Sequence, residues 1–215
     1  MWLTVLRPAQ ASPGFTLIEV LVATLLMLIV TATIFAVYRF QMFALKAQEA
    51  QLDAQQAARS MMDLMSREVR LAGYDPTCAK TFNGLADARP QRLQVQLDSN
   101  ANGAIGAGES IIYSYDTDLR QISRSAGGAA IPLVSSLPAN ALTFSYYDGS
   151  GVLLTPSGNP PALTASQLGA VRRVKILLHV QRSSTDPLNS RSVASDLISN
   201  VVLRNRFLNN GVACP

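Results

Sequence analysis

The feature that most constrains this chain is a long apolar run near its N-terminus. Between residues 15 and 38, 19 of 24 residues are apolar, and Glu19 is the only charged one. A helix of this length measures about 36 Å, more than the ~30 Å hydrocarbon core of a bilayer. A cleaved secretory signal has a shorter apolar region, of roughly 7 to 15 residues. The run therefore predicts a helix that spans a membrane.

The rest of the chain has an ordinary globular composition. The 215 residues are 48% hydrophobic and 15% charged, against a usual charged share of roughly 25%. Without residues 15–38 the apolar share falls to roughly 44%, a typical globular value. Residues 39–215 are enough for one domain with its own core. The composition excludes a disordered polyelectrolyte and predicts a spanning segment followed by one head.

Charge and motifs argue against two broad classes of function. The net charge is +4, but Lys and Arg are scattered and aromatic residues make up only 7%, so we expect no nucleic acid partner. No nucleophile elbow, phosphate loop or zinc-ligand spacing occurs. The only histidine, His179, lies in an alternating strand pattern, in which Arg173 and Lys175 share one solvated face. We therefore do not expect an enzyme.

The start of the apolar run carries a specific motif. Residues 14–20 read Gly-Phe-Thr-Leu-Ile-Glu-Val, which resembles the cleavage and methylation motif of type IV prepilins. The resemblance implies that residues 1–14 are a leader, which a prepilin peptidase removes after Gly14. It also implies methylation of the new Phe15 amine, insertion in the inner membrane, and later extraction into a filament of pilin subunits.

Glu19 is unusual inside an apolar helix. A carboxylate in a spanning helix costs roughly 2.5 to 3.5 kcal/mol on insertion scales and normally has a partner and a function. The prepilin resemblance implies such a partner, the N-terminal amine of a neighbouring subunit. The alternative is a protonated Glu19 tolerated near the membrane interface.

The pattern after the spanning segment predicts that the same helix continues. No Gly or Pro occurs between Phe15 and Ala72, which predicts one helix of about 58 residues, roughly 87 Å long. Gly73 and Pro76 are typical helix-ending residues. Over the second half, residues 39–73, apolar residues recur at steps of three and four and predict a face that packs on a sheet. They are Ala54, Ala58, Met61, Met65, Val69 and Ala72.

The end of this helix resembles two groups of pilin-like proteins. Residues 63–74 read Asp-Leu-Met-Ser-Arg-Glu-Val-Arg-Leu-Ala-Gly-Tyr, similar to the stem end of PilW-type minor pilins and of pseudopilin J of type II secretion. The resemblance implies an α+β pilin-like fold and a minor pilin that promotes assembly, with its head in the periplasm and later on the pilus. The alternative is a minor pseudopilin of a type II secretion system, and a third hypothesis is a signal-anchored adhesin.

Residues 74–215 change to a period of two, which predicts a β-rich head with a mostly antiparallel sheet. Turn residues follow the strand patterns at 116–118 and 148–151, and residues 156–161 suggest a longer surface loop. The predicted strands are residues 93–97, 111–115, 119–123, 142–147, 171–180 and 197–207.

One connection, residues 98–109, matches the twelve-position calcium loop, with Gly103 at position six. The loop carries only two formal negative charges, those of Asp98 and Glu109. We therefore expect weak calcium binding, with a dissociation constant of roughly 10⁻⁴ to 10⁻³ M. The alternative is an Asn- and Gly-rich hairpin tip that binds nothing. The calcium ligands would be the side chains of Asp98, Asn100, Asn102 and Glu109 and the carbonyl of Ala104.

The two cysteines, Cys78 and Cys214, are too few and too far apart for a zinc site. In an oxidising compartment they would pair and close a loop of 137 residues. Chain-entropy models value such a bridge at roughly 5 kcal/mol before strain. Two unrelated reduced thiols are the alternative.

Overall fold

The computed structural model describes residues 14–78, 81–183 and 192–205. Its first element is a single helix, α1, Leu17–Arg70, of 54 residues, or about 81 Å at 1.5 Å per residue. The chain divides into two compact units, Met1–Gln48 and Glu49–Pro215. The helix contributes to both units, which confirms the prediction that the spanning segment and the following segment form one element.

The helix ends two residues before the predicted Ala72. The N–H of Ala72 donates to the carbonyl of Val69 at 3.1 Å, a three-residue step that tightens the chain out of the α-helical pattern after Arg70. Gly73 has a φ of 76°, as expected for a left-handed helix-ending residue. A Cβ on Gly84 would lie 2.4 Å from the Gly73 nitrogen, so the two backbones meet where no side chain fits.

The first sheet of the head has five antiparallel strands in sequential order. Each strand pairs with the next strand along the chain, and a turn or a loop connects the two. The strands are β1 (Leu85–Arg89), β2 (Arg92–Gln96), β3 (Ser110–Asp116), β4 (Gln121–Ala126) and β5 (Ile131–Val134).

The second sheet has four antiparallel strands in the order β7-β6-β8-β9. A short helix, α2 (Ala165–Ala170), precedes β8, and Thr164 and Gln167 form a capping box at its start. The strands are β6 (Leu142–Tyr147), β7 (Leu153–Leu154), β8 (Arg173–Ser183) and β9 (Ser192–Val202).

The core of the head lies between the second half of α1 and the inner faces of the strands. In β3, buried and half-buried residues alternate along the whole strand, as expected when one face packs inward. The predicted helix stripe is confirmed, since each of its six members is at most 4% exposed: Ala54, Ala58, Met61, Met65, Val69 and Ala72.

A buried tyrosine links the two sheets. The hydroxyl of Tyr146 in β6 donates to the carbonyl of Arg89 in β1 at 2.7 Å, and the N–H of Phe144 donates to the carbonyl of Pro90 at 2.7 Å. Burial raises the pKa of Tyr146 well above its ordinary value, so the phenol stays a neutral donor. Hydrogen bonds therefore join the sheets as well as apolar contacts.

The α+β pilin-like class is confirmed, but the head differs from the sequence prediction in detail. The described strands form two sheets rather than one. β1 and β5 were not predicted because β1 mixes small and charged residues and β5 contains Pro132, so neither shows apolar alternation. The predicted strand 119–123 begins at Gln121 because a turn occupies the preceding residues.

Candidate functional site

The predicted cleavage junction, Gly14–Phe15, lies two residues before the start of α1 at Leu17. Oε2 of Glu19 accepts hydrogen bonds at 2.9 Å from both the N–H and the hydroxyl of Thr16. The Glu19 N–H donates back to the Thr16 hydroxyl at 3.4 Å. This reciprocal arrangement is a capping box, which satisfies N–H groups that a helix start leaves unpaired. Glu19 thus has a local role that the sequence analysis missed, although the Thr-x-x-Glu spacing signals it.

The second carboxylate oxygen of Glu19 remains accessible. Oε1 accepts no hydrogen bond within the described ranges, and the residue is exposed. A donor from outside the chain can therefore reach this oxygen without breaking the cap. The structure places Gly14 and Phe15 immediately before Thr16, and both are exposed.

The first half of α1 exposes its apolar side chains on every side. Every residue from 14 to 46 is exposed, and Phe15 and Leu17 keep 88% and 82% of their surface open. An 18-residue window of α1 has a mean hydropathy of 2.7 and no burial, which makes this helix long and apolar enough to cross a membrane. A helix that is apolar all round requires lipid or other helices around it. The segment therefore fits a membrane anchor.

The loop between β2 and β3 is held by side-chain bonds to its own backbone. Asp98 is fully buried and accepts the N–H groups of Asn102 at 3.2 Å and Gly103 at 2.8 Å. The amide oxygen of Asn100 accepts the Asn102 N–H at 3.0 Å, and that of Asn102 accepts the Ala104 N–H at 2.9 Å. The predicted ligands therefore do lie around one tight turn.

Glu109 closes the other end of this loop and is only 2% exposed. Its Oε1 accepts the N–H of Ser99 at 2.8 Å, the Ser99 hydroxyl at 2.9 Å and the N–H of Asn100 at 3.0 Å. Its Oε2 accepts the N–H of Gly106 at 2.8 Å. These bonds, first of all that from Gly106, lower the pKa of Glu109 below its ordinary value. The carboxylate is thus kept ionised inside the loop.

The donor set of this loop fits a weak calcium site but does not require one. Gly103 at position six has a φ of 75°, the sharp turn that such loops need. Among the described residues no three His, Cys, Asp or Glu side chains come together, so amide and carbonyl oxygens would complete the coordination shell. Bidentate binding by Glu109 would compete with its four internal hydrogen bonds. Calcium binding stays a prediction.

The predicted disulfide involves a residue outside the described ranges. Cys78 lies in the turn after the helix and has a φ of 58°, whereas Cys214 lies beyond residue 205, where the description ends. The pairing of the two cysteines stays a prediction.

A polar cluster between α1 and the first sheet was not predicted from the sequence. Arg124 of β4 donates to Glu68 of α1 twice, from Nε to Oε2 at 3.0 Å and from Nη2 to Oε1 at 2.7 Å. The hydroxyl of Tyr113 in β3 also donates to Glu68. Burial and this bond raise the pKa of Tyr113 well above its ordinary value, and the bond to Glu68 raises the pKa of Arg124.

The signal for this cluster was present in the helix pattern. Glu68 stands three residues after Met65 and next to Val69, at the border of the buried stripe. A charged side chain at such a border needs a partner on the facing sheet. Its partner Arg124 lies 56 residues away in the chain, so no local pattern identifies it.

The other residues considered for chemistry lie on the outer face of the second sheet. His179 of β8 hydrogen-bonds through Nδ1 to Asp196 of β9. The guanidinium of Arg173 lies 4.2 Å from the ring centre of Tyr147, a cation–π contact. Arg173 and Lys175 do share one face, as the alternating burial of β8 shows.

Comparison with known proteins gives one finding. A family model described as PpdB, prepilin peptidase-dependent protein B, matches residues 47–185. This range covers 139 of the 215 residues, from the second half of α1 to the end of β8. No curated protein and no solved structure matches the chain.

Proposed function

The chain belongs to the family of prepilin peptidase-dependent protein B, and on that premise we propose that it is a minor pilin. Prepilin peptidase removes residues 1–14, and the mature subunit joins a type IV pilus or its initiating complex and promotes assembly. The observation that carries this proposal is the exposed apolar half of α1, which begins at Leu17, two residues after the Gly14–Phe15 junction.

Before assembly, the apolar half of α1 lies in the inner membrane and the head lies in the periplasm. The exposed apolar surface between residues 17 and 45 is stable only in lipid or among other helices. Extraction from lipid is favourable when helices of neighbouring subunits cover the same surface. The subunit therefore exchanges one apolar environment for another, without refolding its head.

In the filament, the carboxylate of Glu19 forms an ion pair with the methylated N-terminal amine of a neighbouring subunit. The structure supports this role because Oε1 is accessible while Oε2 holds the helix cap. An unpaired carboxylate within the apolar environment costs roughly 2.5 to 3.5 kcal/mol. Pairing with a cation offsets this cost, so the contact favours the assembled state.

The same helix would serve a minor pseudopilin of a type II secretion system, which is our second candidate. The sequence of residues 63–74 supports it, since that segment resembles pseudopilin J as well as the PilW type. Co-purification of the detergent-extracted protein with pilus or with secretion subunits separates the two. A signal-anchored adhesin would retain residues 1–14 and would enter no filament.

The test of the proposed function separates the two roles of Glu19. Glu19→Gln keeps a capping-box residue but removes the charge, whereas Glu19→Ala removes both. We expect both variants to be cleaved, and both to fall at least roughly tenfold in filaments sheared from cells, in line with a lost ion pair. Glu49→Gln, an exposed site on the same helix, is the matched control. Normal incorporation of Glu19→Gln would refute the charge pairing.

A further inference from the structure

The two sheets have four edge strands, and three of them are protected against pairing with another strand. Natural edges are protected by short length, proline, charge or a bulge. β7 has two residues, and β5 has four, with Pro132 among them. β1 has a register shift between Leu85 and Asp87 and carries charged side chains.

The fourth edge strand, β9, has none of these protections. It has 11 residues and pairs with β8 from Ser192 to Val202 without a register shift. It contains no proline, lysine or arginine. Its single charged residue, Asp196, is bonded to His179 of the same sheet. A long, regular and nearly uncharged edge is a template for a further strand.

The hydrogen-bond pattern shows which backbone groups of β9 face the open edge. The N–H of His179 donates to the carbonyl of Ala141 at 2.7 Å, so the N–H of His179 is directed away from β9. Its partner Asp196 therefore forms a pair without hydrogen bonds, and alternate residues of β9 direct N–H and C=O outward. In the described part of the chain these groups have no other backbone partner. The outward residues with described side chains are Ala194, Asp196, Ile198, Asn200 and Val202.

The strand β9 lies along one flank of α1. The hydroxyls of Ser66 in α1 and Ser199 in β9 are hydrogen-bonded at 2.9 Å. Just beyond the end of β9, the side chain of Asn205 donates to the carbonyl of Leu71 at 3.3 Å, so strand and helix run in broadly the same direction. On the other side of the second sheet, Tyr146 bonds to the first sheet. The second sheet thus extends from the first sheet to α1, and its open edge lies beside the helix.

Two arginines of α1 lie on this flank. At 3.6 residues per turn, Arg59 and Arg70 point only about 20° and about 40° away from the direction of Ser66. Both are exposed, and neither forms an ion pair among the described residues. Arg59 lies about 10 Å before Ser66 along the helix and Arg70 about 6 Å after it. These distances correspond to strand positions near Asp196 and Val201, at about 3.3 Å per residue.

We propose that the open edge of β9 binds an extended, acidic segment of a different protein as a further antiparallel strand. The side chains of such a strand alternate between the two faces of the sheet. Those on the α1 side lie next to Arg59 and Arg70, and carboxylates at these positions pair with both cations. Those on the outer face lie beside Ile198, which is 56% exposed, so an apolar residue fits opposite it.

A second copy of this chain does not fit the same edge. Antiparallel pairing of β9 with β9 has two-fold symmetry. Because β9 runs broadly along α1, this pairing would direct the apolar halves of the two helices oppositely, and they could not enter one membrane. The other edges of the chain are protected, so the added strand comes from another protein. The inference treats the apolar half of α1 as a membrane segment but does not rest on processing or on the kind of filament.

The first experiment measures the preference for an acidic strand. The probe is a capped, fluorescently labelled peptide, Thr-Glu-Thr-Thr-Val-Glu-Thr-Glu-Thr. Paired antiparallel with residues 194–202, it places its valine opposite Ile198 and its glutamates on the α1 side. Fluorescence anisotropy with the full-length protein in detergent should give roughly three- to thirtyfold tighter binding than for the same peptide with glutamine in place of glutamate. The difference should shrink at high salt.

The second experiment tests the backbone pairing. Ile198→Pro removes one outward N–H and breaks no bond between β8 and β9, because this N–H faces the open edge, where edge strands tolerate proline. Ile198→Thr also loses the apolar side chain but keeps the N–H, so it is the matched control. We expect the acidic peptide to bind Ile198→Pro at least roughly tenfold more weakly than Ile198→Thr.

The third experiment tests the charge pairing. Arg59→Gln should weaken binding of the acidic peptide roughly two- to fivefold and leave binding of the neutral peptide unchanged. Arg67→Gln is the matched control, since Arg67 is also exposed but points about 100° away from Ser66. It should bind both peptides as wild type does.

Hydrogen exchange locates the bound peptide. In the free protein the N–H groups of Asp196, Ile198 and Asn200 face the open edge and should exchange fast. Those of Leu197 and Ser199 face β8 and should be protected with or without peptide. Binding of the acidic peptide should slow exchange of the outward group alone.

Each outcome decides the proposal. It is supported if the acidic peptide binds, protects the outward N–H groups and prefers Ile198→Thr to Ile198→Pro. It is overturned if wild type binds neither peptide or both equally, or if exchange in β9 does not change. If Ile198→Pro does not fold, Arg59→Gln decides, and equal affinity for Arg59→Gln and Arg67→Gln refutes the pairing. None of these results depends on removal of residues 1–14, so the proposed function is tested separately.

Discussion

The two halves of α1 differ in whether the protein buries their apolar side chains. From residue 14 to residue 46 every residue is exposed, and apolar side chains lie on all sides of the helix. From residue 54 onward a single stripe is buried in the head, and the remaining positions are mostly polar. One continuous helix thus combines a first half that needs lipid or other helices around it with a second half that is already packed in the head.

Two glutamates mark the same difference. Among the described residues Glu19 bonds only to Thr16, three positions earlier, and leaves one oxygen accessible, whereas Glu68 is held by two bonds from Arg124 and one from Tyr113. A carboxylate in the head is thus paired within its own fold. The carboxylate in the apolar half keeps one oxygen without a hydrogen bond from the described residues, which leaves an acceptor for the subunit contact that we propose.

The largest expected difference is between two methionines on α1. Met65 is fully buried and Met27 is 71% exposed. Met65→Ala leaves a cavity in the core and should lower the free energy of unfolding by about 2 to 5 kcal/mol. Met27→Ala should change the head stability by less than about 0.5 kcal/mol. Denaturant unfolding of the full-length protein in detergent, followed by tyrosine signals, measures both. Equal losses of unfolding free energy for the two variants would contradict the difference in burial between the two halves of α1.

A smaller loss is expected at Glu68. Glu68→Gln removes the countercharge of Arg124, whose side chain is only 25% exposed, and should cost roughly 1 to 3 kcal/mol of head stability. Glu19→Gln should leave head stability unchanged, because its partners lie at the start of the helix. The same unfolding experiment compares them. A stable Glu68→Gln head would show that the cluster contributes little.

Alkaline pH should destabilise the head through its buried tyrosines. The pKa values of Tyr113 and Tyr146 are raised in the folded state, so the unfolded chain loses these protons first. Their contribution is present below the ordinary tyrosine pKa of about 10 and is lost as the pH rises above it, by about 1.4 kcal/mol per pH unit for each group. Unfolding measured at about pH 9 and about pH 11, on either side of that ordinary pKa, should show this loss.

Tyr113→Phe should remove about half of this alkaline loss, because Tyr146 then remains as the one titrating group of the pair. Tyr38→Phe, in the exposed half of α1, is the matched control and should leave the pH dependence unchanged. If Tyr113→Phe keeps the full loss, another group is responsible.

The weakest expected effect is calcium binding by the loop between β2 and β3. Calorimetry of wild type at millimolar calcium should give heats for a dissociation constant of roughly 10⁻⁴ to 10⁻³ M. Asp98→Asn removes one of two charges and should abolish the heats, whereas Asp118→Asn, in an exposed turn, should retain them. No heat from wild type would leave the loop as a tip held by its own hydrogen bonds.

The sequence predicted the helix and its stripe well because both depend on local periodicity. The apolar run, the six stripe residues and Gly73 each follow from spacing within a few turns. Strands with an apolar face, such as β3, were also recognised. Edge strands β1 and β5 were not, because pairing with one neighbour forms them without an apolar pattern.

For the candidate sites, the sequence predicted positions but not contacts. It placed the loop between β2 and β3 and identified Glu19 as exceptional. It did not show that Glu109 is bonded to backbone N–H groups or that Glu68 meets Arg124. Such contacts depend on which strands become neighbours, and that arrangement is decided by packing of the whole head.

The most direct test of the account is the N-terminus of the mature protein. Protein purified from cells that carry an active prepilin peptidase should begin at Phe15 and bear one methyl group on its amine, as intact mass and N-terminal fragment spectra would show. Gly14→Val, which puts a bulky side chain at the cleaved bond, should keep residues 1–14. A wild-type protein that retains residues 1–14 in the presence of active peptidase would contradict the assignment as a processed pilin.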